Sequence, residues 1–208
     1  IDYLRSIFTE AINHPDIVAL SIGTRPDCLP DEVLNLLCEL NKIKPVWVEL
    51  GLQTIHENTA KYINRGYTLD VFNTAVNNLN KINVDVIVHL IIGLPFESKE
   101  DILESVKYVS SMNISGIKLQ LLHVLKNTPL EKEYSLNKFE VLSMEEYVNI
   151  IAECLRYIPK SIVIHRLTGD GPKSILVAPL WSGNKKAVLN YMNKRFNELN
   201  VIQGSLCS

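Results

Sequence analysis

Residues 46–67 read VWVELGLQTIHENTAKYINRGY, and this unit constrains the fold more than any other stretch of the chain. Successive side chains of a strand alternate faces, so Val46, Val48 and Leu50 share one face and Trp47 and Glu49 the other. Gly51 is expected to break the strand. Thr54-Ile55-His56-Glu57 has the spacing of a capping box, which predicts a helix starting at Thr54 and ending at Asn64-Arg65-Gly66, where Gly66 suits a left-handed cap. A carboxylate on a buried strand must be paired or wetted. Glu49 therefore marks a polar place beside the carboxyl end of a strand, where α/β proteins build their sites.

The unit recurs along the chain. Apolar runs predict further strands at 17–22, 84–92, 116–122 and 161–165. Helical spacing predicts helices at 1–13, 30–40, 69–82, 98–112, 143–157 and 184–199. His14-Pro15 stops the first helix, Pro30 opens the second, and Ser143-Met144-Glu145-Glu146 is another capping box. Strand–helix alternation argues for α/β architecture with parallel strands and right-handed crossovers. The stretch 123–142 reads as a long irregular loop, and such loops tend to be lids or binding segments. Residues 126–134 and 168–181 are the segments expected to meet a substrate, and 200–208 carries no assignment.

Alternation also sorts the strands into two files. Val18, Leu20, Ile22, then Val46, Val48, Leu50, then Val86, Val88, Leu90, Ile92, then Ile117, Leu119, Leu121 suit helix contacts. The opposite file carries Ser21, Glu49, His89, Lys118, Gln120 and His165. Barrel interiors are ordinarily filled with branched aliphatics. A polar interior instead suggests a cavity for a polar ligand, the plainer alternative being a set of separate core groups with satisfied hydrogen bonds.

Composition narrows the partners. The 208 residues carry a formal charge of −2, which offers no general attraction to nucleic acid. No apolar run approaches the roughly 20 residues of a membrane span, and the first residues do not resemble a signal peptide, so a cytoplasmic location and no membrane partner are expected. Cys28, Cys38, Cys154 and Cys207 are scattered and read as free thiols rather than a metal or cluster site.

Several motifs together resemble a known family. Glu49-Leu50-Gly51-Leu52-Gln53-Thr54 with Asn64-Arg65-Gly66-Tyr67, Val88-His89-Leu90-Ile91-Ile92-Gly93-Leu94-Pro95, Thr24-Arg25-Pro26-Asp27, Lys118-Leu119-Gln120-Leu121-Leu122 and Ile164-His165-Arg166-Leu167-Thr168-Gly169-Asp170 are similar to segments of radical S-adenosylmethionine (radical SAM) proteins. Their order resembles the YhcC-type bacterial group, which is related to the elongator catalytic subunit and to oxygen-independent coproporphyrinogen oxidase. The resemblance implies a partial (β/α) barrel that lacks its first strands here. Residues 1–208 would be the C-terminal portion of that domain, with 166–208 as a subgroup-specific extension.

The same resemblance implies two cofactors, S-adenosylmethionine and a 4Fe-4S cluster held by a CxxxCxxC loop expected upstream of Ile1. It implies reductive cleavage of S-adenosylmethionine to a 5′-deoxyadenosyl radical, with an electron donor as partner and the substrate unspecified. Carried over residue by residue, the cofactor-binding candidates are Glu49, Gln53, Arg65, His89, Gly93, Thr24, Arg25 and Asp27. A guanidinium fork suits a carboxylate, which assigns Arg65 to the methionine end. Plainer roles stand beside these: Arg65 bonding the carbonyls at its helix end, Asp27 capping the next helix, and Arg25 pairing with Asp27. Tyr67 stands where the motif has histidine, and Gly23 where the elongator subunit has glutamate. No catalytic or metal-ligating residue is named.

Two other functions compete. Lys185, Lys186, Lys194 and Arg195 on the last helix suit a tRNA- or RNA-binding module, although such a charge run is usually a solvated face. Lys118 suits a barrel lyase that works through a Schiff base. A sheet edge at 17–22 without a neighbour predicts self-association of this piece.

Overall fold

The computed structural model describes residues 1–169 and 171–207. Asp170, part of one family-like motif, and Ser208 lie outside them. The chain is α/β. A parallel sheet carries β1 (Leu20–Thr24), β2 (Val46–Gln53), β3 (Asp85–Ile92), β4 (Gly116–Leu121) and β6 (Val163–Arg166), in the order β1-β2-β3-β4-β6. The short β5 (Val124–Leu125) pairs antiparallel with β7 (Leu176–Ala178) in a separate ribbon. The described sheet is open, a partial barrel.

The helices are α1 (Asp2–Asn13), α2 (Asp31–Asn41), α3 (Glu57–Tyr62), α4 (Leu69–Lys81), α5 (Lys99–Ser110), α6 (Pro129–Ser135), α7 (Met144–Tyr157) and α8 (Lys185–Glu198). Capping boxes at Ser98/Asp101 and Ser143/Glu146 start α5 and α7. One file of the sheet packs on these helices: Val46, Val48, Leu50, Val86, Val88, Leu90, Ile117 and Leu119 are buried against Leu36, Phe72, Leu79, Val106 and Tyr147. At about 1.5–3 kcal/mol for each fully buried large apolar side chain, this face dominates the fold's stability.

Five expectations are corrected. First, β1 begins at Leu20 because residues 14–17 turn instead: Ile17 N–H donates to the His14 carbonyl, and the Lys44 ammonium holds the carbonyls of His14 and Ile17. Val18 is left exposed. Second, Gly51 does not end β2. The ladder slips between Gly51 and Gln53 and continues, with Gln53 at φ 70°.

Third, Thr54 caps no helix. It is fully buried, donates to Glu97 and accepts from His56 N–H, and α3 starts only at Glu57. The Glu57 carboxylate instead accepts the first N–H of α4 and a bond from Arg65. Fourth, 123–142 is not a bare loop. Thr128 accepts from Glu131 N–H, Pro129 fills the first turn, and Glu131 returns a bond to Asn127 N–H, which together start α6. Fifth, the last strand runs Val163–Arg166; before it, Gln203 donates to the carbonyls of Pro159 and Ile162 and Leu206 N–H to that of Arg156, which docks the tail onto α7 and the turn that follows it.

Candidate functional site

The polar file closes into one network. Ser21 Oγ donates to Glu49 Oε1 at 2.9 Å, His89 Nε2 lies 2.8 Å from Glu49 Oε2, and Lys118 Nζ pairs with the same oxygen. Gln120 Nε2 sits 2.9 Å from His89 Nδ1. An amide nitrogen only donates, so His89 Nδ1 accepts and its Nε2 carries the proton that meets Glu49. Parallel register makes this possible, since it sets His89 level with Lys118. His165 joins the file by lying over Gly116, where a Cβ would come within 2.6 Å of its ring.

Burial works to raise the Glu49 carboxyl, but the bonds from Lys118 and Ser21 and the Lys118 charge outweigh it and hold the group at about 2. Burial and the Lys118 charge push His89 below its ordinary value against the pull of Glu49. His165 moves the same way for the same reasons. Glu49 is thus an ionised acceptor with three donors, and His89 is a neutral ring fixed in one tautomer.

Directly beyond the carboxyl ends of the strands is a cavity of about 600 Å³. Its lining combines apolar Ile91, Leu94, Leu122 and Leu130 with polar Arg25, Gln53, Asn64, Arg65 and Tyr67. The network and the cavity meet at Gly51. A Cβ there would come within 2.6 Å of Gln53 Nε2, so the missing side chain is what lets the Gln53 amide fold back over the file. Tyr67 donates its hydroxyl proton to the Gly51 carbonyl, and two guanidiniums lie over its ring, Arg25 at 5.5 Å and Arg65 at 5.1 Å from the centroid. Burial raises the Tyr67 phenol, and the two arginines oppose it.

Of the candidates, Gln53, Arg25 and Arg65 line the cavity, and Glu49 with His89 lie in the network beside it. Gly93 sits at φ 85° where β3 ends, next to the lining Leu94. Thr24 ends β1, and Asp27 grips Arg25 at 2.9 and 2.6 Å, which also keeps Asp27 from capping α2.

Arg65 departs from its expected geometry. Its side chain is 1% exposed, with Nε on the Tyr67 carbonyl, Nη1 on those of Thr54 and Leu52, and Nη2 on Glu57. Of its five N–H donors one remains, too few for a bidentate grip on a carboxylate. Sequence reasoning missed Tyr62; it reached Glu133 only within the segment 126–134, and it noted Tyr67 only as a departure from the motif, whereas Tyr62 and Glu133 bond each other at the cavity wall and Tyr67 lines the cavity. The Thr-Pro-x-Glu signal at 128–131 would have placed Glu133 on a helix.

Residues 1–109 match the model of the Radical SAM superfamily, and residues 114–198 that of the Radical_SAM C-terminal domain. The chain belongs to the radical SAM superfamily. It is 43% identical over 204 residues to YtqA of Bacillus subtilis and 35% over 206 to YhcC of Escherichia coli, alignments that cover 98% and 99% of this chain but 63% and 66% of those proteins. It therefore spans about two-thirds of the length of these radical SAM relatives. It is 27% identical over 185 residues to a tRNA uridine(34) acetyltransferase of Methanocaldococcus jannaschii, covering 85% of this chain and 33% of that protein. Among solved structures it is similar to archaeal Methanocaldococcus infernus Elp3, with a TM-score of 0.74 and 25% identity over 89% of this chain and 43% of that one.

The residues of this radical SAM chain fit the two family cofactors differently. The cavity offers a nucleoside-sized volume lined by both apolar and hydrogen-bonding side chains, which suits S-adenosylmethionine. The cysteines do not suit a 4Fe-4S cluster: Cys28 and Cys207 are exposed, Cys38 is half-buried, and burial of Cys154 pushes its thiol up to about 12. Among the described residues the one group of potential metal ligands within 4.8 Å is His56, Asp101 and Glu104, and it contains no cysteine. No helix among them is long and apolar enough to cross a membrane.

Proposed function

We propose that residues 1–208 are the S-adenosylmethionine-binding part of a radical SAM enzyme, and that any cluster ligands lie outside these residues. Bound there, S-adenosylmethionine would supply hydrogen-abstracting chemistry, one electron from a donor partner breaking its C5′–S bond to give methionine and a 5′-deoxyadenosyl radical. The observation that carries the reading is a cavity of about 600 Å³, lined by Gln53 and by Ile91, Leu94 and Leu122, at the carboxyl ends of parallel strands. Gln53 meets ribose hydroxyls, and the apolar lining meets adenine. Arg25, held by Asp27 beside Thr24, provides the cation for the methionine carboxylate, and Arg65 adds its single remaining donor. Glu49, His89 and Gly93 fix the floor and the β3 turn.

Equilibrium dialysis of labelled S-adenosylmethionine tests this. Gln53→Ala and Arg25→Ala each weaken retention by about tenfold, whereas the remote Val18→Lys leaves it unchanged. Retention indifferent to both cavity substitutions sinks the reading. For the longer protein, release of 5′-deoxyadenosine under anaerobic reduction is the expected activity.

An RNA substrate is a second reading, supported by the similarity to the tRNA uridine(34) acetyltransferase. It gains little from α8, where Lys194 and Arg195 pair with Glu198 of the same helix. A Schiff-base lyase gains nothing from Lys118, whose ammonium is tied to Glu49.

A further inference from the structure

We infer that Phe96 is a stacking platform for a planar conjugated ring of the substrate, at the rim of the cavity; the inference rests on reading that cavity as the S-adenosylmethionine site. Leu94-Pro95-Phe96-Glu97 is a tight turn closed by Glu97 N–H on the Leu94 carbonyl at 3.2 Å. Pro95 fills the second position, as turn chemistry favours, and Phe96 takes the third with φ 68°. Glycine or asparagine fits that left-handed position, and a large side chain there is strained.

Burial does not offset the strain, because Phe96 is 71% exposed. Its neighbours follow local rules, with Leu94 lining the cavity and Glu97 turned inward onto Thr54. Strain at an exposed aromatic beside a cavity is the pattern of a ligand contact.

The ring is also braced. Tyr62 meets it nearly edge-on, with centroids 5.2 Å apart and planes at 74°. Tyr62 in turn bonds Glu133 of α6, and both line the cavity. A rigid, half-supported aromatic facing solvent next to the reacting site offers a π face. Every nucleobase and many free heterocycles have a matching one. The shared chemistry is therefore a planar conjugated ring, from either an RNA strand or a free nucleoside-like molecule.

The full-length protein, loaded with S-adenosylmethionine, is titrated with two probes whose fluorescence falls on stacking: 2-aminopurine riboside, and a pentaribonucleotide with 2-aminopurine at its centre. Wild type quenches at least one of them, and the probe it quenches identifies the source. Phe96→Gly weakens that binding by about tenfold or more. It leaves the thermal midpoint equal to or above wild type, because glycine relieves the turn. Phe96→Trp restores binding.

The proposal is overturned if wild type quenches neither probe, if the glycine variant binds within about twofold of wild type, if the tryptophan variant is as weak as glycine, or if the glycine midpoint falls by several degrees, which would mean that protein covers the ring. Labelled S-adenosylmethionine is measured in the same samples. Failure of wild type to retain it defeats the cavity reading, whereas equal retention by wild type and Phe96→Gly with indifferent probes defeats the platform alone.

Discussion

Glu49 gathers three donors from three strands, and its ionisation is built into the fold. Its carboxyl falls from an ordinary 4.5 to about 2, a displacement worth roughly 3 kcal/mol. Because the folded value is the lower one, this stability is complete above 4.5 and is lost as pH falls toward 2. His89 and His165 are also lowered, so their contribution is complete above 6.5 and is lost as pH falls through their folded values. Urea unfolding across pH 7 to 3 should therefore show stability falling with acid, and Glu49→Gln should flatten the segment below 4.5. At pH 7 that variant costs about 2 kcal/mol, since Lys118 loses its counter-charge and one of the two acceptor oxygens becomes a donor; an unchanged slope would remove Glu49 from the network. Glu97 runs the other way. Burial raises it despite the Thr54 bond, so its contribution is present below 4.5 and lost as pH rises through the raised value. Glu97→Gln keeps an acceptor for Thr54 and should raise the unfolding midpoint slightly at pH 7, by about 1 kcal/mol or less. The network was legible in the sequence because a period-2 pattern exposes any polar residue on an otherwise apolar file. The meeting of Arg25 and Arg65 over Tyr67 was not, because it depends on how two separate loops, the one after β1 and the one before α4, approach each other.

The elements around the cavity show where local signals compete. Thr54 and Glu57 have capping-box spacing, yet the bulge after Gly51 carries Thr54 inward to Glu97, and a buried bond outranks an exposed cap. Arg65 ties the end of β2 to the turn before α4. Arg65→Lys keeps a charge but loses most of a planar fork that bonds three carbonyls and Glu57, and should cost about 2–3 kcal/mol in urea unfolding. A variant within a few tenths of wild type would mean that the fork is idle. The helix α6 is the weakest wall: none of its residues is buried, Asn127 and Asn137 flank it with φ of 64° and 54°, and Tyr62–Glu133 fastens it to α3. Tyr62→Phe should speed amide hydrogen exchange across 129–135 with little change in global stability. Exchange unchanged there would show that the fastening is redundant. Strand and long-helix positions followed from periodicity alone. The short α6 did not, because seven residues leave no apolar stripe to read and only its cap betrays it.

At the scale of the molecule, the described sheet ends in two open edges, β1 and β6. Ile17 and Val18, which lead into β1, are both exposed, Val18 at 83%. An open edge flanked by apolar side chains is a template for pairing. Since the chain spans 63% and 66% of YtqA and YhcC, those longer proteins have further residues available to cover such an edge. Residues 1–208 and a longer protein of this kind, with the further residues that YtqA and YhcC carry, should then behave differently. Residues 1–208 alone should sediment as dimers or larger species in a concentration-dependent way, and the longer protein should not. Val18→Lys should shift the piece toward monomer while leaving its unfolding midpoint unchanged, because the side chain packs on nothing that folding buries. In the longer protein the same substitution should lower the midpoint, because there the side chain is covered. A monomeric piece at high concentration, or a substitution silent in both forms, would mean that the edge is already blunted by its own twist and charges, and that the polar face of the sheet needs no further cover.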